Sequence, residues 1–356
     1  MTRSAWVTIN TNALQHNLQR VRELAPNSQV MAVIKANAYG HGVIEVAKAL
    51  SSANGFAVSC IPEALELRHA GFIHPILVLQ GYQNFSELQT ATTNNLRVVI
   101  HDHSQLQLLE QLPISKRIDV ALKLDTGMHR LGLPIEQTRT IYQQLNENTN
   151  VKSGSWLMTH LACADDTAND YTQTQLSLFR EHTHGIQAIR SIANSAGILA
   201  WKDAHANWVR PGIMLYGSSP MIDGDRNKEQ LKAVMSLYAP VIALHHLKKG
   251  DSIGYGSTWT CPEDMPVGVL ACGYGDGYPR LAGTGTPVWI NGKESQILGR
   301  VSMDMMTIDL RGHNIATGDI AELWGENISV DRVAKAANTI GYELLCNVGN
   351  QCRRLS

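Results

Sequence analysis

The chain has 356 residues, 44% of them hydrophobic, with 30 Lys and Arg against 31 Asp and Glu and a net charge of -1. That length predicts two domains with ample core, and the balanced charge excludes the basic face that nucleic acid or an anionic membrane would demand. Small-molecule chemistry is the class left standing.

The opening stretch MTRSAWVTIN lacks the apolar core of a signal peptide, and no run approaches the roughly 18 apolar residues of a membrane helix. A soluble, cytoplasmic protein is expected. Cys60, Cys163, Cys261, Cys272, Cys346 and Cys352 stand apart without a CxxC pair, so they read as reduced thiols rather than a disulfide framework or a zinc ribbon.

From about residue 30, short apolar runs alternate with amphipathic stretches: MAVIK then VIEVAKAL, GFAVS then PEALELRHAG, PILVL then FSELQT, RVVI then SQLQLLEQL. The alternation continues through VALKL and PIEQTRTIYQQL, WLMTHL and YTQTQLSLFREHTHGIQAI, then SIANS and NWVRPGIMLYG, for eight candidate strands. Buried parallel strands read as continuous apolar runs, so this pattern predicts an α/β fold whose N-terminal part is a (β/α)8 TIM-like barrel, with an open doubly wound sheet as the competing architecture. Pro62 fits the first turn of the second helix and Gly71 its stop.

Beyond about residue 230 helical periodicity fades and glycine and valine become dense. Asn291-Gly292 in VWINGKES is the favoured type I′ hairpin turn, which points to a mainly β C-terminal domain. VDRVAKAANTIGYELL reads as one late helix. The expected division is a barrel over 7-230 and a β domain over 231-356, joined by an N-terminal strand within 1-6.

The C-terminal ends of barrel strands form the active-site face. Lys35 follows MAVI, Lys123 lies within VALKL, His160 near the end of WLMTHL, Asn194 and Ser195 close SIANS, and Arg210 interrupts NWVRPG. A lysine at the end of a buried strand must be ion-paired, reach solvent, or carry a lowered pKa that makes its amine nucleophilic. Position alone leaves these readings open. GYGDGYP is glycine-rich, but Pro279 follows and no helix opens, so the dinucleotide reading fails; NGKE lacks the first glycine and the Ser or Thr of a phosphate loop. HDH, HTH and HH have neither spacing nor carboxylates for a metal, and no metal is expected.

Six stretches, VIKANAYGHG, KLDTGMHRLG, WVRPGIMLYG, GYGSTW, CGYGDGYPR and GRVSMDMM, resemble in order and spacing the signature motifs of the alanine racemase family. The resemblance implies interconversion of L-alanine and D-alanine by a homodimer with shared active sites, for peptidoglycan or for alanine catabolism. It implies pyridoxal 5′-phosphate bound as a Schiff base on Lys35. Racemisation takes the Cα proton from one face and returns one to the other, which calls for two acid/base groups; the resemblance makes them Lys35 and Tyr255, the latter from the partner subunit. It further implies Arg210 against the ring nitrogen and His160 linking that arginine to the tyrosine. Tyr39, Ser195, Gly212 and Ile213 would hold the phosphate, and Arg130 and Met303 the substrate carboxylate. Tyr274 would stand at the substrate entrance, and Lys123 would be carbamylated and pair with Arg130. The tail CNVGNQCRRLS departs from the family's usual ending. Two alternatives remain: another racemase or a decarboxylase with the same cofactor and fold, or a protein that carries the cofactor without turnover.

Overall fold

The computed structural model describes residues 3-152 and 154-355. Eight strands form the barrel expected from the apolar runs: β1 (Gln29–Val33), β2 (Gly55–Val58), β3 (Ile76–Val78), β4 (Arg97–Ile100), β5 (Asp119–Asp125), β6 (Trp156–Met158), β7 (Ile189–Ser191) and β8 (Trp208–Val209). Each pairs in parallel with the next, and β8 closes the ring on β1 through Trp208 opposite Gln29 and Val209 opposite Val30. Closure excludes the open sheet. The central strands are buried throughout, as Val, Ile, Leu and Ala on both faces require.

Local signals set where the helices begin. Asn84, Asp102 and Asn194 each accept a backbone N–H in the first turn of the helix they precede, and Asp102 with Gln105 completes a capping box. Pro62 stands in the first turn of Ile61–His69, and Gly71 just beyond its end has φ +86°. Asn194 and Ser195 do not extend β7: the strand ends at Ser191, Asn194 caps the helix Ser195–Ala200, and Ser195 opens it. The last run contributes only Trp208–Val209 as strand, and Ile213–Tyr216 is a 3-10 turn. An unexpected helix, Thr11–Leu24, precedes the barrel.

The second domain is a ring of six antiparallel strands. Met235–Leu247 closes it by pairing its first half with Ile320–Trp324 and its second half with Met265–Leu270. Pro287–Ile290 and Lys293–Leu298 form the expected hairpin, with φ of 44° at Asn291 and 79° at Gly292, the double positive φ of a type I′ turn. The N-terminal strand lies at Trp6–Ile9, not within 1-6, and pairs with Met235–Leu247 on one side and Arg353–Leu355 on the other. The late helix is two, Val330–Ala336 and Gly341–Gln351, broken where Asn338 turns to φ 53°.

Arg3 ties the N-terminal arm to this domain through the buried carboxylate of Asp276 and, at 2.6 Å, Asp304. A buried carboxylate that loses its cation keeps its desolvation cost. Arg3→Ala is expected to destabilise the protein by about 2 kcal/mol, less than a fully buried pair because Arg3 is partly exposed, and Asp276→Asn in the same chain should return part of that loss. Urea unfolding of the two variants checks it; equal stability of Arg3→Ala and wild type would show that the pair contributes nothing.

Candidate active site

The mouth of the barrel collects the polar residues its strand ends carry. Lys35 sits two residues past β1, half-buried, and burial lowers its amine below the ordinary lysine value, with nearby Arg130 adding to the effect and Glu63 opposing it. Lys123 points from within β5 and is buried; burial, and then Arg210 and Arg130, bring it down to about 8. Burial thus shifts both amines toward the neutral form, the state that attacks carbonyl carbon.

The turn after Lys35 is left-handed. Ala36, Asn37, Ala38 and Tyr39 all have φ near +52°, and Gly40 follows at +82°. Non-glycine residues cost about 1–2 kcal/mol each in this conformation, so surrounding contacts must impose it. Glu63 accepts the N–H groups of Ala36 and Ser59, each at 2.7 Å, and the Asn37 side chain accepts from Val43 N–H at 2.8 Å. Buried His41 holds the carbonyls of Ala38 and Tyr39 through Nδ1 at 3.0 and 2.9 Å, and its own burial pulls it down to about 4. The turn places the Tyr39 ring in the core with its hydroxyl beside Gly212.

That neighbourhood forms an anion cradle. Ser195 Oγ accepts the N–H of Gly212 at 2.8 Å and of Met214 at 3.4 Å. A Cβ on Gly212 would lie 2.6 Å from the Tyr39 hydroxyl, so only glycine lets the chain pass here. The Tyr39 hydroxyl has no hydrogen-bond partner among the described residues. Convergent backbone N–H groups and two hydroxyls suit a phosphate. Tyr342, from the helix Gly341–Gln351, adds its ring 5.9 Å from that of Tyr39, and Tyr216 packs at 4.8 Å on another side.

Arg210 follows β8 and is buried, which draws its guanidinium down to about 10. It is pinned by Ser191 Oγ at 2.7 Å and the carbonyls of Thr159 at 2.6 Å and Ile192 at 3.1 Å. The pinned guanidinium reaches His160 Nδ1 at 3.4 Å. Because arginine can only donate, Nδ1 accepts and the imidazole proton sits on Nε2. Burial, reinforced by Arg210, Lys123, Arg130 and Lys35, holds His160 well below its ordinary value, so it is neutral.

Lys35, Tyr39, Lys123, His160, Ser195, Arg210, Gly212 and Ile213 thus share the barrel mouth, with Arg130 exposed at its rim on the loop after β5. Tyr255, Tyr274 and Met303 stand elsewhere, on the β domain, at 72%, 36% and 54% exposure. Backbone bonds from Tyr274 to Ser302 at 3.1 Å and from Gly275 to Met303 at 2.7 Å bind two of these segments into one ledge. Sequence reasoning missed Glu63 and Tyr342. Neither carries a local signal: one is an ordinary helix acid, and the other lies in a distant terminal helix. The mouth thus offers an amine of lowered basicity at Lys35, a cradle that fits a phosphate and a buried donor at Arg210.

Comparison with known proteins supplies a family for this architecture. The family profile described as alanine racemase, N-terminal domain, matches residues 9–220, and that of the C-terminal domain matches residues 234–356. The chain is 47% identical to an alanine racemase of Coxiella burnetii over 97% of its own length and 96% of the relative's. A solved biosynthetic alanine racemase of Pseudomonas aeruginosa superposes with a TM-score of 0.95 at 42% identity, covering 99% of both chains. The alanine racemase of Bartonella henselae, solved with covalently bound pyridoxal phosphate, gives 0.89 at 27% identity over 99% of both.

A lysine that is less basic folded than unfolded penalises the folded state while it is protonated. The penalty at Lys123 is full below a pH of about 8 and fades as pH rises toward 10.5. In carbon dioxide-free buffer the cofactor-free protein is therefore expected to gain stability relative to Lys123→Met between pH about 7 and about 10, by on the order of 2–3 kcal/mol. Urea unfolding of both proteins at the two pH values checks this, and parallel curves would contradict it.

Proposed function

The chain belongs to the alanine racemase family, and from that membership we propose that it interconverts L-alanine and D-alanine, using pyridoxal phosphate held on Lys35 and a second acid/base group, Tyr255, from a partner copy. The observation that carries the reading is the barrel mouth itself: a lysine made less basic by burial, an anion cradle beside Gly212 and a pinned arginine. A cofactor carrier needs the cradle but neither an exposed Tyr255 nor the ledge of Tyr274 and Met303, and a decarboxylase does not need two opposed proton carriers.

Pyridoxal phosphate, when bound, supplies the electron sink that makes the Cα proton of an amino acid removable. This chain's own residues do the rest. Tyr39, Ser195 and the backbone at Gly212 and Ile213 would hold the phosphate, and the left-handed turn fixes Lys35, which would hold the cofactor aldehyde, next to them. Arg210 would hold the ring nitrogen with a group that donates a hydrogen bond but does not readily give up its proton, which would leave that nitrogen unprotonated and restrain the sink. Arg130, and the main-chain N–H of Met303 from the partner, take the substrate carboxylate and fix Cα between two faces. Lys35 moves the proton on one face and Tyr255 on the other. His160, neutral and anchored by Arg210, carries its Nε2 proton toward the tyrosine and so lowers the cost of the phenolate. Tyr274 narrows the entrance to a small side chain. Carbamylation of Lys123, eased by a pKa of about 8, would turn a crowding cation into an anion that pairs with and orients Arg130.

The assembly follows from the same chemistry: Tyr255 and Met303 are exposed in a single chain, where neither a base nor a carboxylate clamp can exclude water. A homodimer working in the cytoplasm, supplying D-alanine for peptidoglycan, is the setting we propose. Among the described residues no helix is long and apolar enough to cross a membrane.

In heavy water the loaded enzyme should lose the Cα proton of L-alanine and form D-alanine together. Tyr255→Phe is expected to lower kcat by about 10²–10⁴-fold, the usual worth of a positioned acid or base, while still washing out the Cα proton of one enantiomer. Exchange of both enantiomers at wild-type rate in Tyr255→Phe would remove the tyrosine from the mechanism. Arg210→Glu should raise the yield of transamination side product per turnover, read by chromatography of the cofactor; an unchanged yield would show that the arginine does not restrain the sink.

A further inference from the structure

The left-handed turn behind Lys35 is fastened from outside the barrel, by the chain's last strand. Arg354 Nη2 donates to the carbonyl of Gly40 at 2.8 Å and to that of Gly349 at 3.2 Å. Gly40 is buried, and among the described residues Arg354 is the only donor to its carbonyl. Gly349, on the helix Gly341–Gln351, packs so tightly on the turn that a Cβ would overlap the Gly40 carbonyl oxygen, and a Cβ on Gly42 would overlap the Arg354 guanidinium. Arg354 is held in place by the pairing of its strand with Trp6–Ile9, where it stands opposite Val7. The neighbouring His41 does not substitute for it, since its Nδ1 is committed to Ala38 and Tyr39.

We propose that Arg354 is a positioning residue for Lys35 and Tyr39: its guanidinium locks the Gly40 end of the left-handed turn against the C-terminal helix and thereby fixes the cofactor end of the site. The proposal rests on Lys35 and Tyr39 being the residues that hold the cofactor. Physically, a buried carbonyl with one donor returns to water or stays unsatisfied when that donor is removed. The cheapest escape for a strained turn is then to unwind toward right-handed or extended backbone, carrying Lys35 and Tyr39 with it. The tail that departs from its family's usual ending would in this way still contribute to the site, through a clamp on the turn rather than a contact with the ligand.

The test compares full-length wild type, Arg354→Ala, Arg354→Lys and Gly349→Ala. Two readings are made on each loaded enzyme: the rate at which pyridoxal phosphate is released to an apo-acceptor trap, followed by cofactor absorbance, and hydrogen exchange of the amides of residues 36–42 by mass spectrometry. Arg354→Ala is expected to release the cofactor roughly ten- to hundredfold faster, the range expected for a charged hydrogen bond to a buried group, with faster exchange in 36–42 and unchanged exchange in the barrel strands. Arg354→Lys should recover part of both, because one ammonium can reach one carbonyl. Gly349→Ala pushes on the same carbonyl from the helix side and should reproduce both effects if Arg354→Ala does not fold. Wild-type release from Arg354→Ala, or faster release without faster exchange in 36–42, overturns the proposal; so does wild-type behaviour of Gly349→Ala should that variant have to stand in. Lys35→Ala run alongside separates the two layers: cofactor still held covalently in its absence would sink the assignment of Lys35 itself, whatever Arg354 does.

Discussion

A turn of left-handed backbone behind a lysine is the constraint from which the rest of this molecule follows. Four consecutive residues without glycine's freedom, Ala36 to Tyr39, stand at φ near +52°, at a cost of about 4–8 kcal/mol in all. A right-handed or extended continuation would be cheaper but would send Tyr39 away from Gly212 and Ser195 and leave the phosphate cradle without a wall. The cost is met from two directions. Glu63 and His41 hold the turn from the barrel side, and Gly349 and Arg354 close on it from the C-terminal helix and last strand. The β domain is therefore part of the site's foundation within one chain, before any question of a second subunit arises.

Charge is the second constraint, and it follows from the first because the turn brings an amine into a pocket already rich in cations. Lys35, Lys123, Arg130 and Arg210 act on one another, and burial depresses the two amines and the imidazole of His160 together. Such a mouth is destabilised in isolation and relieved by negative charge. In the function proposed, a phosphate dianion, a substrate carboxylate and a carbamate on Lys123 would each bring that charge to a different place in it. The same imbalance explains why a neutral imidazole, rather than an imidazolium, lies next to a buried guanidinium: a third positive charge there would have no partner.

The sequence was most legible where chemistry is local. The apolar runs MAVI, GFAV and RVVI fall on β1, β2 and β4, because a strand buried on both faces must be apolar at every position. Pro62, Gly71 and Asn291-Gly292 sit where their backbone preferences put them. Legibility failed where a long-range contact overrides the local pattern. SIANS reads as one strand, yet Asn194 turns its side chain back to cap Gly197 N–H and frees Ser195 for the cradle. The late helix reads as continuous because VDRVAKAANTIGYELL has no proline and a lone glycine, Gly341, is tolerated within a helical pattern; the break comes at Asn338, which turns left-handed, and the second helix brings Tyr342 to Tyr39. The site residues came through motif resemblance, whereas the residues that hold them, Glu63, Ser191, Tyr342 and Arg354, have no motif of their own.

In the proposed mechanism, the source of the second base is a question of geometry. Strand ends supply Lys35, Lys123, His160 and Arg210 around one rim, so a flat ligand seated in the mouth would meet them from the barrel side of its plane or at its edge. Removing a proton from one face of Cα and delivering one to the other needs a group above that plane, and a chain that folded its own β domain over the mouth would seal the entrance it has to leave open. In this chain the β domain instead clamps the barrel from the side through Gly349 and Arg354 and leaves Tyr255 and Met303 facing water. In the proposed homodimer, a second copy would bring its tyrosine and a backbone N–H over the mouth while its neighbour did the same in return. A symmetric pair of this kind completes two sites with one interface, which is the economy that isologous contact offers.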